Sequence, residues 1–169
     1  INTRDRYLLH KIRYKKKIYF IPNFIYETKP KLIFNKQKFI ALFVGRLDSA
    51  EHKGLDLLVK IMQNVLKRNN DIIFEIVGSG KYSNLFSELK LTYENNIKLK
   101  GFLTGKKLEN CYLKSNLFLF PSRYESFGLS LLEAQAHGLP CVCFKVKGPT
   151  NIILKNFQGR LVKPFSLQK

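Results

Sequence analysis

The chain has 169 residues, of which 45% are hydrophobic and 13% aromatic, which favours one folded domain with a sizeable core and argues against a disordered chain. Thirty lysine and arginine residues stand against 12 aspartate and glutamate residues, and the net charge of +18 favours anionic partners such as nucleotide phosphates, nucleic acid or an anionic membrane face. The basic residues are scattered along the sequence, so a solvated basic surface explains most of them.

The first residues differ in pattern from the rest of the chain. Residues 1–17 are basic and partly amphipathic, and we interpret them as a connector from an upstream domain. Residues 18–24, IYFIPNF, predict a strand that ends in a turn, so we expect the folded domain to span residues 18–169. Because the chain begins at Ile1 and Met62 is its only methionine, we expect it to be part of a longer protein.

Further along the chain, apolar runs typical of buried strands alternate with stretches typical of helices. The predicted strands are residues 38–44, 72–78, 97–101, 116–120 and 141–144. The predicted helices are residues 54–68, 82–93, 106–114, 126–137 and, just before GRLV, 149–154. On the first of these helices, the apolar residues that share one face are Leu55, Leu58, Ile61, Met62 and Val65. The alternation predicts an α/β fold, a Rossmann-like three-layer sandwich with a mostly parallel sheet.

The cysteines point to packing rather than to disulfides or metal. Cys111, Cys141 and Cys143 are odd in number, and two of them alternate within an apolar run, so we expect buried reduced thiols and a reducing, cytoplasmic compartment. A Cys-x-Cys pair with three histidines elsewhere matches no structural zinc spacing, so we predict no metal site. No apolar window reaches the roughly 18 to 20 residues of a membrane-spanning helix, and no stretch has a signal-peptide pattern.

Loops that follow the strands of a parallel sheet lie along one edge, where ligands bind. The first such loop, VGRLDSAEHKG, places Arg46 after a strand and Lys53 before a helix, and two cations that flank one loop suit a diphosphate. The second loop, VGSGKY, has Gly78 and Gly80 where the chain leaves a strand. A tight turn explains this Gly-x-Gly about as well as ligand contact does.

A third loop lies in the stretch FLFPSRYESFGLSLLEAQAHGLPCVCF, which predicts a strand, a polar loop and a helix. A helix whose first turn comes just after Ser126 and Phe127 would direct free N–H groups and the positive end of its dipole at an anion, so we predict a phosphate seat. Glu125 lies beside this seat, and Glu133 lies about 7 Å along a helix that starts near Gly128. Both carboxylates suit hydrogen bonds from hydroxyl groups, although a solvated carboxylate explains Glu133 when it is taken alone.

Together these loops resemble one family. VGRL, HKGLDLL, IVGSG, KGF and PSRYESFGLSLLEAQAHGLPCV occur in the order and spacing of the C-terminal, nucleotide-sugar-binding domain of retaining GT-B glycosyltransferases of family four, the glycosyl transferases group 1. IPNF at residues 21–24 is similar to the family's leading strand, so the resemblance covers nearly all of residues 18–165. It implies one half of a GT-B architecture and a hexosyltransferase that builds capsule, lipopolysaccharide or other glycans with retention.

The resemblance also implies roles for individual residues. Arg46 and Lys53 would hold the donor pyrophosphate, and the backbone N–H groups of Phe127, Gly128 and Leu129 would complete its cradle. The full set of donor-binding candidates is Gly45, Arg46, Lys53, Gly78, Ser126, Phe127, Gly128, Leu129 and Glu133. Within this set, Glu133 would bind the ribose hydroxyls, while Glu125 outside it would contact the transferred sugar, and Glu125, Arg46 and Lys53 are the catalytic candidates. The chain departs from the family where Lys147, Gly148, Pro149 and Asn151 replace the usual Gly-Gly and glutamate.

The resemblance further implies what must come from outside this domain. No cofactor is expected beyond the donor, a UDP- or GDP-sugar, and the glycan or lipid-linked acceptor would bind through an N-terminal domain. We therefore expect residues 1–169 alone to bind a nucleoside diphosphate weakly and to transfer no sugar. A cytoplasmic location with peripheral contact at the inner face of the membrane would suit a lipid-linked acceptor and the basic surface.

Two alternatives stay open from the residues. A GT-B nucleotide-sugar epimerase shares the sheet and the nucleotide seat, and it would convert the donor without an acceptor. A basic nucleic-acid-binding module would fit the charge of +18, but it requires clustered cations and stacking aromatics on one face, whereas this sequence distributes its charge. We therefore expect no nucleic-acid partner.

Overall fold

The computed structural model describes residue 25 and residues 38–154 and 158–163. The strands are β1 (Phe39–Val44), β2 (Ile72–Val77), β3 (Ile97–Gly101), β4 (Leu117–Phe120), β5 (Cys141–Phe144) and β6 (Gly159–Val162). The helices are α1 (Ala50–Lys53), α2 (Leu55–Leu66), α3 (Ser83–Thr92), α4 (Gly105–Lys114) and α5 (Leu129–Ala136), with a 3-10 turn at Pro149–Asn151. The connector predicted at residues 1–17 and the strand predicted at residues 18–24 lie outside the described residues.

The strands form one sheet in the order β3-β2-β1-β4-β5-β6, and each neighbouring pair is parallel. The order reverses at β1, since β2 lies on one side of it and β4 on the other. In a doubly wound sheet this reversal opens a crevice at the carboxyl ends of the strands, which is where such folds bind ligands.

Helices cover both faces of the sheet because successive residues of a buried strand point to opposite sides. Phe43 of β1 packs with α2 and α3, whereas the preceding Leu42 packs with α4 and α5. The core on the first face includes Leu55, Leu58, Met62, Phe74, Ile76 and Phe86. The core on the second face includes Tyr112, Phe118, Phe120, Leu131, Cys141 and Cys143. The predicted three-layer α/β sandwich is confirmed.

The first predicted helix is divided in the structure. Gly54 has a φ of 65°, in the left-handed region, so it closes the short helix α1 and begins α2 one residue later than predicted. Leu66 is buried on the inner face, while Ile61, predicted to be there, is 36% exposed. Ile61 instead lines an apolar groove between α2 and strands β4, β5 and β6, with a volume of about 120 Å³.

Three other element predictions need correction. The helix predicted at residues 126–137 begins at Leu129, because Gly128 has a φ of 99° and stands outside the helix as its N-cap. The helix predicted at residues 149–154 is a single 3-10 turn, after which Ile152 and Ile153 are buried in the second core. GRLV, to which no strand was assigned, forms the edge strand β6 beside β5.

The cysteines lie where the sequence predicts. Cys111, Cys141 and Cys143 are all buried and all free thiols. Burial raises the pKa of Cys141 to about 12 and that of Cys143 to about 11. Among the described residues, no helix combines the length and apolar character that crossing a bilayer requires.

Candidate functional site

The first two predicted loops pack against each other backbone to backbone at the carboxyl edge. The N–H of Gly45 donates to the carbonyl of Val77 at 3.0 Å, and the N–H of Leu47 donates to the carbonyl of Ser79 at 2.9 Å. Gly78 has a φ of 142°, and a Cβ there would collide with the carbonyl oxygen of Gly45. Close packing therefore explains Gly78, and its contact with the donor stays a prediction.

The third loop is tied to the junction between α1 and α2. The guanidinium of Arg123 donates from Nη1 and Nη2 to the two carboxylate oxygens of Asp56, each at 2.7 Å, and Nη1 also donates to the carbonyl of Glu51 at 3.1 Å. The backbone N–H of Arg123 donates to the carbonyl of His52 at 2.9 Å. The hydrogen bonds from Arg123 lower the pKa of the Asp56 carboxyl, which keeps this bidentate pair ionised.

This junction sets the position of Lys53. The hydroxyl of Ser49 accepts from the N–H of His52 at 3.2 Å and so caps α1, which ends at Lys53. The next residue, Gly54, is pressed against the third loop, because a Cβ on it would collide with the carbonyl oxygen of Pro121. Gly54, the last residue of the first loop, thereby contacts the third loop.

Lys53 and Glu125 form an ion pair in this contact. Lys53 Nζ lies 2.7 Å from Glu125 Oε2, and their side chains are 31% and 16% exposed. The other oxygen, Glu125 Oε1, accepts from the backbone N–H of Ser126 at 3.1 Å and more weakly from that of Phe127 at 3.5 Å. The carboxylate therefore rests on a cation and on two backbone donors, and these are the groups that the sequence predicted would hold an anion.

The N-terminus of α5 adds further donors beside this pair. Gly128 is its N-cap and has no side chain, so no side-chain hydrogen bond caps the helix. The first N–H groups of any α-helix lack partners within it, and its dipole favours an anion at that end. Gly128 is buried and Leu129 is 54% exposed, so the helix begins at the protein surface. The structure thus brings Ser126, Phe127, Gly128 and Leu129 to one helix N-terminus, and phosphate binding there stays a prediction.

Arg46 is not part of the Lys53 and Glu125 pair. Its guanidinium binds Asp48, with Nη2 2.6 Å and Nε 2.8 Å from Oδ2, and its side chain is 84% exposed. An exposed pair of this kind contributes little stability, so Arg46 is free to change partners. Arg46 lies on the first loop, as predicted, and its contact with a phosphate group stays a prediction.

Glu133 lies one turn into α5, and its carboxylate accepts a hydrogen bond from the neighbouring helix α4. The phenol of Tyr112, on α4, donates to Glu133 Oε2 at 2.8 Å. The ring of Tyr112 stacks on that of His137 with centroids 5.0 Å apart, and His137 Nδ1 lies 2.7 Å from the backbone carbonyl of Glu133. Glu133 is half-buried, so it is neither a freely solvated carboxylate nor a closed core residue.

The departure from the family pattern lies against the same loop. The N–H of Gly148 donates to the carbonyl of Glu125 at 3.1 Å, and a Cβ on Gly148 would collide with the backbone of Phe127. Asn151 is exposed at the end of the 3-10 turn. This stretch therefore packs against the third loop.

Two residue pairs at the site had no individual signal in the sequence. Arg123 and Asp56 are 67 residues apart, and Tyr112 and Glu133 are 21 residues apart. A buried tyrosine needs a partner for its hydroxyl, which is the one general indication that the sequence contained. Within the described part of the chain, His, Cys, Asp and Glu side chains form no group of three that could hold a metal ion.

The fold defines a class of domain, a doubly wound parallel sheet with its loops gathered at the carboxyl edge, as in one half of a GT-B glycosyltransferase. The sequence profile of the family described as glycosyl transferases group 1 matches residues 25–169, and the chain belongs to that family. The resemblance found in the sequence motifs is thereby confirmed.

Individual proteins agree with this assignment. An uncharacterized glycosyltransferase of Methanocaldococcus jannaschii is 35% identical over 125 residues, which are 73% of this chain and 31% of that protein. A poly(ribitol-phosphate) alpha-N-acetylglucosaminyltransferase of Staphylococcus aureus is 30% identical over 149 residues, 86% of this chain and 29% of that protein. This chain thus spans about 30% of the length of these two relatives.

Among solved structures, a variant of S. aureus TarM in complex with Fondaparinux, alpha-GlcNAc-glycerol and UDP matches with a TM-score of 0.83 and 27% identity. The match covers 98% of this chain and 33% of the TarM chain. The chain therefore corresponds to one domain of a larger glycosyltransferase of this kind.

Proposed function

We propose that this protein is the donor-binding part of a glycosyltransferase, which transfers a hexosyl group from a nucleotide-sugar to a glycan or lipid-linked acceptor in surface polysaccharide synthesis. The observation that carries the proposal is the contact between Lys53 and Glu125, 2.7 Å apart, in front of the uncapped N-terminus of α5. Family membership favours sugar transfer over the epimerase and over the nucleic-acid-binding module. The names of the S. aureus relative and of the TarM ligands favour a UDP-sugar donor.

In this proposal the donor diphosphate binds Lys53 and the N–H groups of Ser126, Phe127, Gly128 and Leu129. Three of these groups already bind an anion in the structure, since the Glu125 carboxylate accepts from Lys53 Nζ, from the N–H of Ser126 and more weakly from that of Phe127. Arg46 leaves Asp48 and adds a second cation, because its exposed pair is weak and a phosphate offers a bidentate acceptor.

Glu125 then turns from the seat to the transferred sugar. A carboxylate and a phosphate repel each other, so both cannot occupy the same donors, and Glu125 accepts hydrogen bonds from neutral sugar hydroxyls instead. Glu133, further along α5, accepts from the ribose hydroxyls. The two glutamates bind hydroxyl groups on opposite sides of the diphosphate and do not act as a general acid and base.

The chemical contribution of these residues is to stabilise the leaving group. Negative charge builds on the nucleoside diphosphate as its bond to the sugar breaks, and Lys53, Arg46 and the helix N-terminus neutralise that charge. The acceptor hydroxyl attacks from the same face as the departing diphosphate, which gives retention without a protein nucleophile. We assign the acceptor site to a partner domain and no cofactor beyond the donor.

The location follows from the substrates. Nucleotide-sugars are cytoplasmic, so we place the protein there, with its basic surface of net charge +18 facing an anionic inner leaflet and the lipid-linked acceptor.

Titration calorimetry with UDP, GDP and ADP tests the seat. Lys53→Ala should weaken binding of the preferred diphosphate by about tenfold or more, the loss expected for a charge-assisted hydrogen bond, and Arg46→Ala should weaken it several-fold. Lys60→Ala is the matched control, since Lys60 is an exposed lysine of α2 and its removal changes the net charge equally. Unchanged affinity in both site variants would refute the proposed seat.

A further inference from the structure

Tyr112 is a buried residue with one polar atom directed at the proposed donor site. The side chain is 1% exposed and lies in the second core, beside Phe118 with ring centroids 5.9 Å apart. Its hydroxyl reaches Glu133 Oε2 at 2.8 Å and has a second, longer acceptor in the carbonyl of Ser130 at 3.4 Å. The short bond therefore joins the core to the carboxylate of Glu133.

The direction of this hydrogen bond is fixed. Burial, followed by the nearby carboxylate of Glu133, raises the pKa of the Tyr112 phenol well above its ordinary value. The phenol thus keeps its proton and donates it to Glu133 Oε2. A charge-assisted bond of this kind is stronger than one between neutral groups.

Tyr112 cannot turn away from Glu133, because it is held from behind. The ring of His137 stacks on it at an interplanar angle of 15°, and His137 is itself 8% exposed. His137 Nδ1 lies 2.7 Å from the backbone carbonyl of Glu133, so the stacking partner is fixed to the same residue that the phenol contacts. The side chain of Glu133 therefore contacts Tyr112, and its backbone carbonyl contacts His137.

We propose that Tyr112 is a positioning residue that aims the carboxylate of Glu133 at the ribose of the donor. Because Oε2 is engaged by the phenol, Glu133 turns Oε1 toward the ligand, and among the described residues no hydrogen bond to Oε1 is found. One fixed acceptor oxygen recognises a neutral hydroxyl, so Tyr112 contributes to the preference for ribose over a deoxyribose. This inference rests on the proposed donor site, in which Glu133 binds the ribose.

The test measures ribose preference rather than affinity alone. Binding of UDP, 2′-deoxy-UDP and 3′-deoxy-UDP is measured by titration calorimetry on the protein and on Tyr112→Phe, which removes one oxygen and keeps the ring. We expect the wild type to prefer UDP over at least one deoxy analogue by about tenfold, the scale of one hydrogen bond to a charged group. Tyr112→Phe should reduce that preference to about threefold or less, leaving the affinity for the discriminated analogue unchanged.

Two further variants separate the possible results. Glu133→Ala should abolish the preference, and Tyr93→Phe, a partly buried tyrosine just after α3, should leave it at the wild-type value. If Glu133→Ala keeps the preference, the proposed ribose contact is wrong. If Glu133→Ala loses the preference but Tyr112→Phe keeps it, the positioning role alone is overturned. The same conclusion follows if Tyr112→Phe weakens the binding of all three ligands equally at an unchanged melting temperature.

Discussion

Replacing Glu125 with glutamine should tighten binding of a bare nucleoside diphosphate. The Glu125 carboxylate lies 2.7 Å from Lys53 Nζ. A phosphate oxygen bound to the same ammonium would lie about 5 Å from that carboxylate. Two like charges at this separation repel by about 3 kcal/mol at an effective dielectric constant near 20. The Lys53 side chain is 31% exposed, so solvent reduces this to about 1 kcal/mol, and UDP should bind Glu125→Gln about fivefold more tightly.

The same substitution should have the opposite consequence for the donor sugar. A carboxylate that accepts from a sugar hydroxyl contributes about 1.5–3 kcal/mol, and a neutral amide contributes less. The gain at the phosphate is then offset for UDP-N-acetylglucosamine, so the preference for the sugar nucleotide over UDP should fall by about tenfold. No uniform loss of stability or of charge produces this change in preference.

Titration calorimetry with UDP and UDP-N-acetylglucosamine measures both effects. Glu51→Gln is the matched control, because Glu51 is an exposed glutamate of α1, close to the site, whereas the carboxylate paired with Lys53 is that of Glu125. The control should leave the preference unchanged. Weaker or equal binding of UDP by Glu125→Gln would show that Glu125 does not compete with the diphosphate, and the reasoning would fail.

Three other predictions concern stability and reactivity. Arg123→Ala should lower the free energy of unfolding by about 1 kcal/mol, because it removes the bidentate partner of a half-exposed Asp56, and thermal unfolding against the exposed control Arg68→Ala measures this. Folding lowers the pKa of Asp56, so the stabilisation from its ionised form is present above the unfolded pKa near ~3.9 and is lost as the pH falls through the folded pKa. The stability of Asp56→Asn should therefore fall less steeply with decreasing pH than that of the wild type. Equal slopes of stability against pH in acid would contradict this. With pKa values of about 12 and 11, Cys141 and Cys143 should react with a disulfide reagent at pH 8 only after denaturant is added, and rapid labelling of the native protein would contradict their burial.

Much of the fold could be predicted because most of the strands are short, largely apolar runs. IIFEIV at Ile72–Val77 and CVCF at Cys141–Phe144 were located within one residue, since strands buried on both faces have little polar interruption. Two of the errors fall where one glycine sets the backbone. Gly54 divides a helix and Gly128 delays another by three residues, because each adopts a positive φ that the sequence pattern does not reveal.

The site was predicted less completely than the fold, for a different reason. A motif indicates which loop carries Lys53 or Glu125, but their contact depends on long-range packing over 72 residues. The pairs that hold the site together, Arg123 with Asp56 and Tyr112 with Glu133, are visible only when the sheet brings their elements together. Local sequence therefore predicts which residues line the candidate site, and the tertiary structure shows which contacts hold those residues in place.

The glycines at the carboxyl edge have a consequence for altering donor preference by directed evolution. Gly54, Gly78 and Gly148 each face a backbone group of a neighbouring loop with no room for a methyl group, so substitution at any of them displaces two loops at once. By contrast, the side chains of Tyr124 in the third loop and of Leu129 at the start of α5 are 62% and 54% exposed, and Tyr124 meets its neighbour His52 through an edge-on ring contact at 5.3 Å. A mutant library that varies these exposed positions and keeps the glycines should retain folded members while sampling new sugar contacts.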